Sequence, residues 1–301
     1  MKSSVTLEDG TENSVWNPID LIIEILLRLP VNSIARCRCV SKLWATILSR
    51  TDFTELFLTR SLARPKLLFA CRRGCETLFF SSPQRQNPVD DEKSPPVVDN
   101  PYVYPKCNMG DTAYLGMIQL TNNSRPHDHF WRGICINGVL YYDAKVSDHH
   151  LRHSIMMLVC FDVRSEEFRF INKPAYDGTL INYNGKLGLF SLGNAISCDR
   201  IRNMELWVLE DAGKQEWSKH TYLLPAMWQN IVGNTNLRFV GMTLTKEFVF
   251  QSMRGCTPFY LVYYNIERNT VKKVELQGME MSNNIHTFVD HVENVTLMQI
   301  I

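Results

Sequence analysis

Two prolines, Pro18 and Pro30, enclose a run of Ile19, Leu21, Ile22, Ile23, Ile25, Leu26, Leu27 and Leu29, interrupted only by Asp20, Glu24 and Arg28. The run reads as a helix. Asn17 suits its cap, Pro18 its first position and Asp20 the positive end of its dipole, and Pro30 marks its stop. The charged residues are spaced four apart, which puts them on one narrow stripe with Glu24 and Arg28 as a favourable pair. An ordinary surface helix has a single apolar stripe facing the core. This one is apolar on both sides of its polar stripe, so it needs burial twice, and the second side implies a protein partner. A bilayer does not fit, because a spanning helix needs roughly 20 apolar residues and this one is short, proline-bounded and charged. Residues 1–14 hold no apolar run, which predicts a disordered N-terminus without a signal peptide. No later segment reads as membrane-spanning.

The residues that follow narrow the kind of partner. Val31 to Trp44 reads as a tight turn and two more short helices, with Asn32 and Ser41 as caps. Asp52-Phe53-Thr54-Glu55-Leu56-Phe57 then begins a further helix. The run Pro18 to Leu26, then Arg28-Leu29-Pro30-Val31, Arg38-Cys39-Val40-Ser41-Lys42-Leu43-Trp44 and Phe53 resembles, without a gap, the plant form of the F-box. That resemblance implies docking on the Skp-type adaptor, and through it on the cullin and RING subunits of a ubiquitin ligase. It assigns Pro18, Leu21, Ile22, Ile25, Leu26, Leu29, Pro30, Val31, Val40 and Trp44 to the F-box, residues 15–63, and its adaptor-binding face. Two blander readings stand beside it. A DNA-binding helix-turn-helix needs a basic recognition helix, and although Arg36, Arg38 and Lys42 are available the net charge is only +1. A plain helical cap leaves the order of Leu29-Pro30, Val40-Ser41-Lys42 and Leu43-Trp44 without a reason.

The chain of 301 residues suits a small domain plus a large one, and 45% hydrophobic with 21% charged residues is an ordinary globular composition. Nine cysteines without a secretory signal read as reduced thiols in an intracellular protein of the cytoplasm, the nucleus or both. Asn122-Asn-Ser and Asn294-Val-Thr match the glycosylation sequon, which is idle without secretion. The near-neutral charge points to neither nucleic acid nor a membrane surface as partner.

Beyond about Arg64 the pattern turns from helical to β. Leu67–Ala70 and Thr77–Phe80, around Arg72-Arg73-Gly74, read as a first hairpin within residues 64–82. Residues 83–110 hold a cluster of prolines and Asp90-Asp91-Glu92, and read as a long exposed loop. Residues 111–301 read as a β domain, with Asn137-Gly138 a two-residue hairpin turn. Inside it a strand–turn–strand pattern recurs at Leu158–Ile171, Glu205–Lys219 and Tyr260–Val274. Aligned at Phe161, Trp207 and Tyr263, the copies are offset by 46 and 56 residues. Complementary hairpins lie between them at Leu180–Leu189 and at Phe239–Phe250 around Thr245-Lys246. A four-stranded unit recurring at ~40–50 residues is a propeller-blade signature; the competing architecture is a β-sandwich.

This half resembles the F-box-associated domain that follows plant F-boxes. The residues carrying the likeness are Ile134–Tyr142, Phe161–Glu166, Leu206–Asp211, Glu216–Lys219, Phe259–Thr270 and Thr287–Glu293. The resemblance implies a propeller-like domain that recruits a protein substrate, with the binding surface in loops at one end of the blades. The family pattern has a longer first half, with an Asn-Pro-x-Thr turn and a Gly-Tyr-Asp-Pro-like segment, and neither occurs between Pro105 and Trp131. At about 45 residues per blade, the remainder predicts roughly five blades in an incomplete, compacted ring. The fold class expected is therefore α+β multidomain: a small three-helix F-box, then an all-β, propeller-like domain.

Catalytic and metal signals are weak. His127-Asp128-His129 and His149-His150-x-x-His153 have ligand-type residues but no Cys pair or HExxH frame, and read as loop histidines. Cys37 and Cys39 fall within the F-box helices, where cysteine acts as a small hydrophobe. No phosphate loop, nucleophile elbow or kinase signature occurs. Trp207, Trp217, Tyr222, Trp228, Tyr263 and Tyr264 read as blade packing rather than a sugar platform. The expectation is a non-catalytic adaptor that needs no cofactor and no metal, with a lectin-like or hydrolytic propeller as the rival and a family member without substrate binding as a third reading.

Overall fold

The structure, a computed structural model, describes residues 18–29, 31–73, 76–84, 102–103, 127–147, 154–175, 178–192, 203–233, 235–253, 258–277 and 285–295. The chain forms two compact units: Met1–Pro65 together with Val292–Ile301, and Lys66–His291. The division departs from the expected boundary in one place, because residues from Val292 onward belong with the helices rather than with the β domain. Among the described residues no helix is long and apolar enough to cross a membrane.

The first unit contains helices α1 (Pro18–Leu26), α2 (Val31–Cys37), α3 (Lys42–Leu48) and α4 (Thr51–Leu62). Helix α1 is shorter than the proline-to-proline run predicts. Past Leu26 the backbone tightens, with Arg28 N–H donating to Ile25 O and Leu29 N–H to Leu26 O, both at 3.1 Å. The helix thus ends in a narrow turn before Pro30 can block it. Asn32 falls within α2, one residue past its start, and Ser41 caps α3, its Oγ accepting from Trp44 N–H at 3.2 Å. Expectations for Asn17 and for residues 1–14 lie outside the described residues. The core of the unit is Leu26, Val31, Ile34, Ile47, Leu48, Phe53 and Phe57, joined by Val295 from the far end of the chain. Glu293 N–H donates to Ser61 Oγ at 2.8 Å and holds the returning segment on α4.

Among the described residues the second unit forms four four-stranded antiparallel sheets. The second sheet is β4 (His127–Ile136), β5 (Val139–Ser147), β6 (Ser154–Asp162) and β7 (Glu167–Ile171). The third is β8 (Thr179–Tyr183), β9 (Lys186–Ser191), β10 (Asn203–Asp211) and β11 (Glu216–Leu223). The fourth is β12 (Leu237–Met242), β13 (Glu247–Ser252), β14 (Tyr260–Asn265) and β15 (Thr270–Glu275). The first sheet is built from both ends of the domain. Strands β1 (Lys66–Arg73), β2 (Glu76–Pro83) and β3 (Tyr102–Val103) are completed by β16 (Ile285–His291), which pairs with β1. Strands β4, β8, β12 and β16 are the inner edges, β4 beside β8, β8 beside β12 and β12 beside β16. This is a four-bladed, propeller-like arrangement.

Three expectations change. The described residues form four sheets where about 45 residues per blade gives roughly five, and the first of them takes its inner strand from the end of the domain. Tyr102–Val103, inside the stretch read as a loop, pairs with Leu78 and Phe79 as an outer strand; the rest of that stretch beyond Gln84 lies outside the described residues. The repeat copies also superpose differently. The residues that open the outer turns are Asp162, Asp211 and Asn265, paired with Glu167, Glu216 and Thr270. Asp162 Oδ1 accepts from Arg164 and Ser165 N–H, Asp211 Oδ1 from Gly213 and Lys214 N–H, and Asn265 Oδ1 from Arg268 N–H. The repeat is held by this turn chemistry, not by the aromatic alignment at Phe161, Trp207 and Tyr263.

The blades pack face to face through apolar layers. Ile181, Phe190, Met204, Leu206 and Val208 of the third sheet meet Phe239, Phe248, Phe250, Tyr260, Val262 and Tyr264 of the fourth. Phe190 stacks on Phe239 with ring centroids 3.7 Å apart. The opposite face of the fourth sheet, Val249, Leu261, Tyr263 and Val274, meets Leu67, Phe69 and Ile285 of the first. Strand β14 is buried on both faces, hence its unbroken Tyr260-Leu261-Val262-Tyr263-Tyr264. Trp228, on the five-residue helix α5 (Trp228–Val232), packs edge-on against Phe250 and Tyr264.

Candidate functional site: an apolar docking face

The helical unit leaves large apolar side chains in water although it has its own buried core. Leu21 is 49% exposed, Ile25 55%, Val40 63% and Leu43 49%. On α1, Leu21 and Ile25 are one turn apart and therefore on one face. Leu26 faces the other way and is fully buried. Val40 and Leu43 flank the Ser41 cap, so the fixed start of α3 determines where both point.

The residues assigned by sequence therefore divide. Leu21, Ile25 and Val40 are exposed. Ile22, Leu29 and Trp44 are half-buried against the core, and Leu43, not singled out in the sequence, joins the exposed set. Leu26 and Val31 are core residues and touch no outside surface, because they meet Phe53 and Phe57 inside the unit. They build the face without forming part of it. The side chain of Pro18 and the whole of Pro30 lie outside the described residues.

The polar stripe of α1 is an internal fastener. Glu24 accepts from Arg28 Nε at 3.1 Å and from Arg60 Nη2 on α4 at 3.2 Å. The hydrogen bond from Arg60, followed by that from Arg28, holds the Glu24 carboxyl below the usual range. Arg60 is 36 residues from Glu24 in sequence, so no local spacing reveals this pair.

The two ends of the blades differ. Asn137-Gly138 and Asn184-Gly185 are tight turns with both residues left-handed, φ 52° and 83° in one, 52° and 81° in the other. Glu166, Gln215, Lys246 and Asn269 supply a left-handed residue to the other hairpin turns. Turns of neighbouring sheets touch at this end: Asn137 Nδ2 donates to Gly185 O at 3.1 Å, and Leu244 N–H to Asp290 Oδ2 at 2.8 Å. At the opposite end of the strands lies the connection between β11 and β12, which carries α5.

The rival chemistry finds little in the described residues. Ser218, His220 and Glu210 meet on the third sheet, but the Ser218 hydroxyl donates to Glu210 at 2.7 Å while His220 Nε2 stands 3.5 Å away. The proton faces a carboxylate, not a general base of the triad kind. His127 and His129 lie on strand β4 rather than in a loop; His149 and His153 lie outside the described residues. Among the described residues, no group of three His, Cys, Asp or Glu could hold a metal ion. Trp228, Tyr263 and Tyr264 are buried packing residues, as the sequence predicts.

Four short helices carrying an unburied apolar face, followed by a propeller-like β domain whose first sheet is completed by its last described strand, define an F-box protein with an associated propeller-like domain. Residues 17–61 match the family described as F-box domain, and residues 115–292 the family described as F-box associated beta propeller domain. The chain belongs to this family of F-box proteins. Among its relatives in Arabidopsis thaliana are the F-box chain At2g19630, 59% identical over 99% of each chain, and F-box protein At5g65850, 42% identical over 97% of this chain and 93% of the other. F-box protein DOR, from the same plant, is 40% identical over 97% of each chain. The alignment with At5g65850 runs over 369 residues, 68 more than this chain contains, so this chain is internally shortened relative to it. A family 117 glycoside hydrolase of Zobellia galactanivorans aligns at a TM-score of 0.26 and 12% identity, over 71% of this chain and 69% of the other, which bears on neither fold nor activity.

Proposed function

We propose that this chain is the substrate-receptor subunit of an SCF-type ubiquitin ligase. In this role the helical unit docks on a Skp-type adaptor, which links it to the cullin and RING subunits, and the β domain holds a protein substrate. The chain itself performs no chemistry. Ubiquitin transfer is accelerated because the substrate is kept close to a charged enzyme, which raises effective concentration. Such a subunit works inside the cell, in cytoplasm, nucleus or both.

The observation that carries this role is the exposure of Leu21, Ile25, Val40 and Leu43 on a unit whose core is already filled. Burying a side chain of this size contributes roughly 1.5–3 kcal/mol before the cost of association. With about half of each side chain already covered, the four contribute a few kcal/mol together and supply the apolar part of the contact. The Glu24 bonds to Arg28 and Arg60 keep α1 in place, so its exposed leucine and isoleucine are presented on a rigid element.

The test is co-purification of the full chain with a Skp-type adaptor, alongside Leu21→Asp combined with Ile25→Asp. The wild-type chain is expected to capture the adaptor, and the double variant to lose it while its circular dichroism stays unchanged. Failure of the folded wild-type chain to bind any such adaptor sinks the proposal.

A further inference from the structure

The helical unit is not a continuous stretch of chain. Its core contains Val295, 5% exposed among Leu26, Val31, Phe53 and Phe57, although some 230 residues of β domain separate α4 from it. The segment is positioned by backbone as well as side chain, since Glu293 N–H bonds to Ser61 Oγ on α4. The same short stretch does two jobs. Residues 285–291 are β16, the strand that closes the first sheet on β1, and within four further residues the chain enters the core of the helices. A unit this small has little core to spare, and Leu26, which shares that core with Val295, lies on the same helix as the exposed Leu21 and Ile25.

Resting on the docking role proposed above, we infer that Val295 is a positioning residue for adaptor docking, and that the face carried by Leu21 and Ile25 is firmly held only in a chain whose strand β16 has paired with β1 and which has returned to the helices. Docking is thereby conditional on a first sheet completed by β16. A chain that stops short of Val295, or whose β16 has not paired with β1, presents a loosened F-box and is a poor ligand for the adaptor. The dependence follows from covalent connection: the only route for Val295 into the helical core leads from β16.

The test compares the full chain, a chain ending at His291, and full-length Val295→Ala and Val295→Asp, each for adaptor affinity and for hydrogen exchange in α1 and α4. In the full-length variants residues 66–291 are intact, so a general collapse of the truncated chain does not decide the outcome. The expected result is an increase of about tenfold or more in exchange rates over α4 in Val295→Asp and in the truncated chain. Adaptor affinity falls in parallel, because only the ordered fraction binds, while exchange in β12–β15 is unchanged and Val295→Ala is intermediate. Docking and α4 exchange equal to wild type in Val295→Asp and in the truncated chain overturn the inference while leaving the docking role intact. Absence of adaptor binding by the wild-type chain instead overturns the docking role, and α4 exchange then still reports whether Val295 orders the helices.

Discussion

Lys66 and His291 are register partners across β1 and β16. They are also the two residues at which the chain passes between its helical and β units. Both passages therefore leave the β domain side by side, at the end of the blades that carries the tight turns. Asp290, next to this pair, reinforces it. Its backbone N–H donates to Gln84 Oε1 at 2.8 Å, Gln84 Nε2 returns a bond to its carboxylate at 2.6 Å, and Leu244 N–H adds a third.

Burial pushes the Asp290 carboxyl up, only partly opposed by the bonds from Gln84 and Leu244. A carboxyl whose folded value is raised binds protons more readily in the folded state than in the unfolded one. It therefore contributes stability below the ordinary aspartate range, and that contribution is lost as pH rises through the raised folded value. Urea titrations from pH 3.5 to 7 are expected to show wild type losing stability relative to Asp290→Asn as pH rises. A constant difference between the two across this range would show that Asp290 is not the responsible group.

On α1, neighbouring residues should respond in opposite ways. Leu26→Ala empties part of a closed core and is expected to cost about 2–5 kcal/mol. Ile25→Ala removes a side chain already in water and should leave stability within about 0.5 kcal/mol, while weakening adaptor binding. Thermal melts set beside binding isotherms separate the two, and a large melting shift for Ile25→Ala would mean that α1 is oriented differently.

Lys173 and Asp143 form an ion pair of 2.8 Å, with side chains only 5% and 16% exposed. Asp143→Ala removes the carboxylate from a buried ammonium and is expected to be strongly destabilising, by up to about 3–5 kcal/mol, whereas replacing both residues with apolar ones of similar size should cost much less. A double-mutant cycle read by chemical denaturation checks this, since simple additivity of the two single changes would exclude coupling.

Glu166 holds a left-handed turn position at φ 57° without the local bonding that eases such a conformation for Asn or Asp. Glu166→Gly should raise stability by up to about 1 kcal/mol, offset in part by the flexibility glycine adds to the unfolded chain. Asn269 differs, because its Oδ1 accepts from Tyr264 Oη at 3.3 Å. The same change there should be neutral or destabilising, as differential scanning calorimetry of the two variants would show.

Local features were the legible ones. The Asn137-Gly138 turn, the Ser41 cap and the alternating strands are written in adjacent residues, and so is the apolar excess of α1. The blade repeat was visible but misaligned, because the eye follows Trp207 and Tyr263 while the backbone follows Asp162, Asp211 and Asn265, whose oxygens hold the turns. Nothing local distinguishes Val295 from any other valine near a chain terminus, and nothing near Glu24 points to Arg60. Leu26 and Ile25 are adjacent and chemically alike, so only the packed helix reveals that one is core and the other is face. Tyr102–Val103 is too short a strand to stand out from the prolines around it.

Because β16 and β1 meet irrespective of what lies between them, the clasp of this domain does not count blades. The alignment with the longer At5g65850 leaves internal gaps in this chain, and its two terminal strands still pair. Pairing of β16 with β1 thus tolerates a change in the length of chain between them.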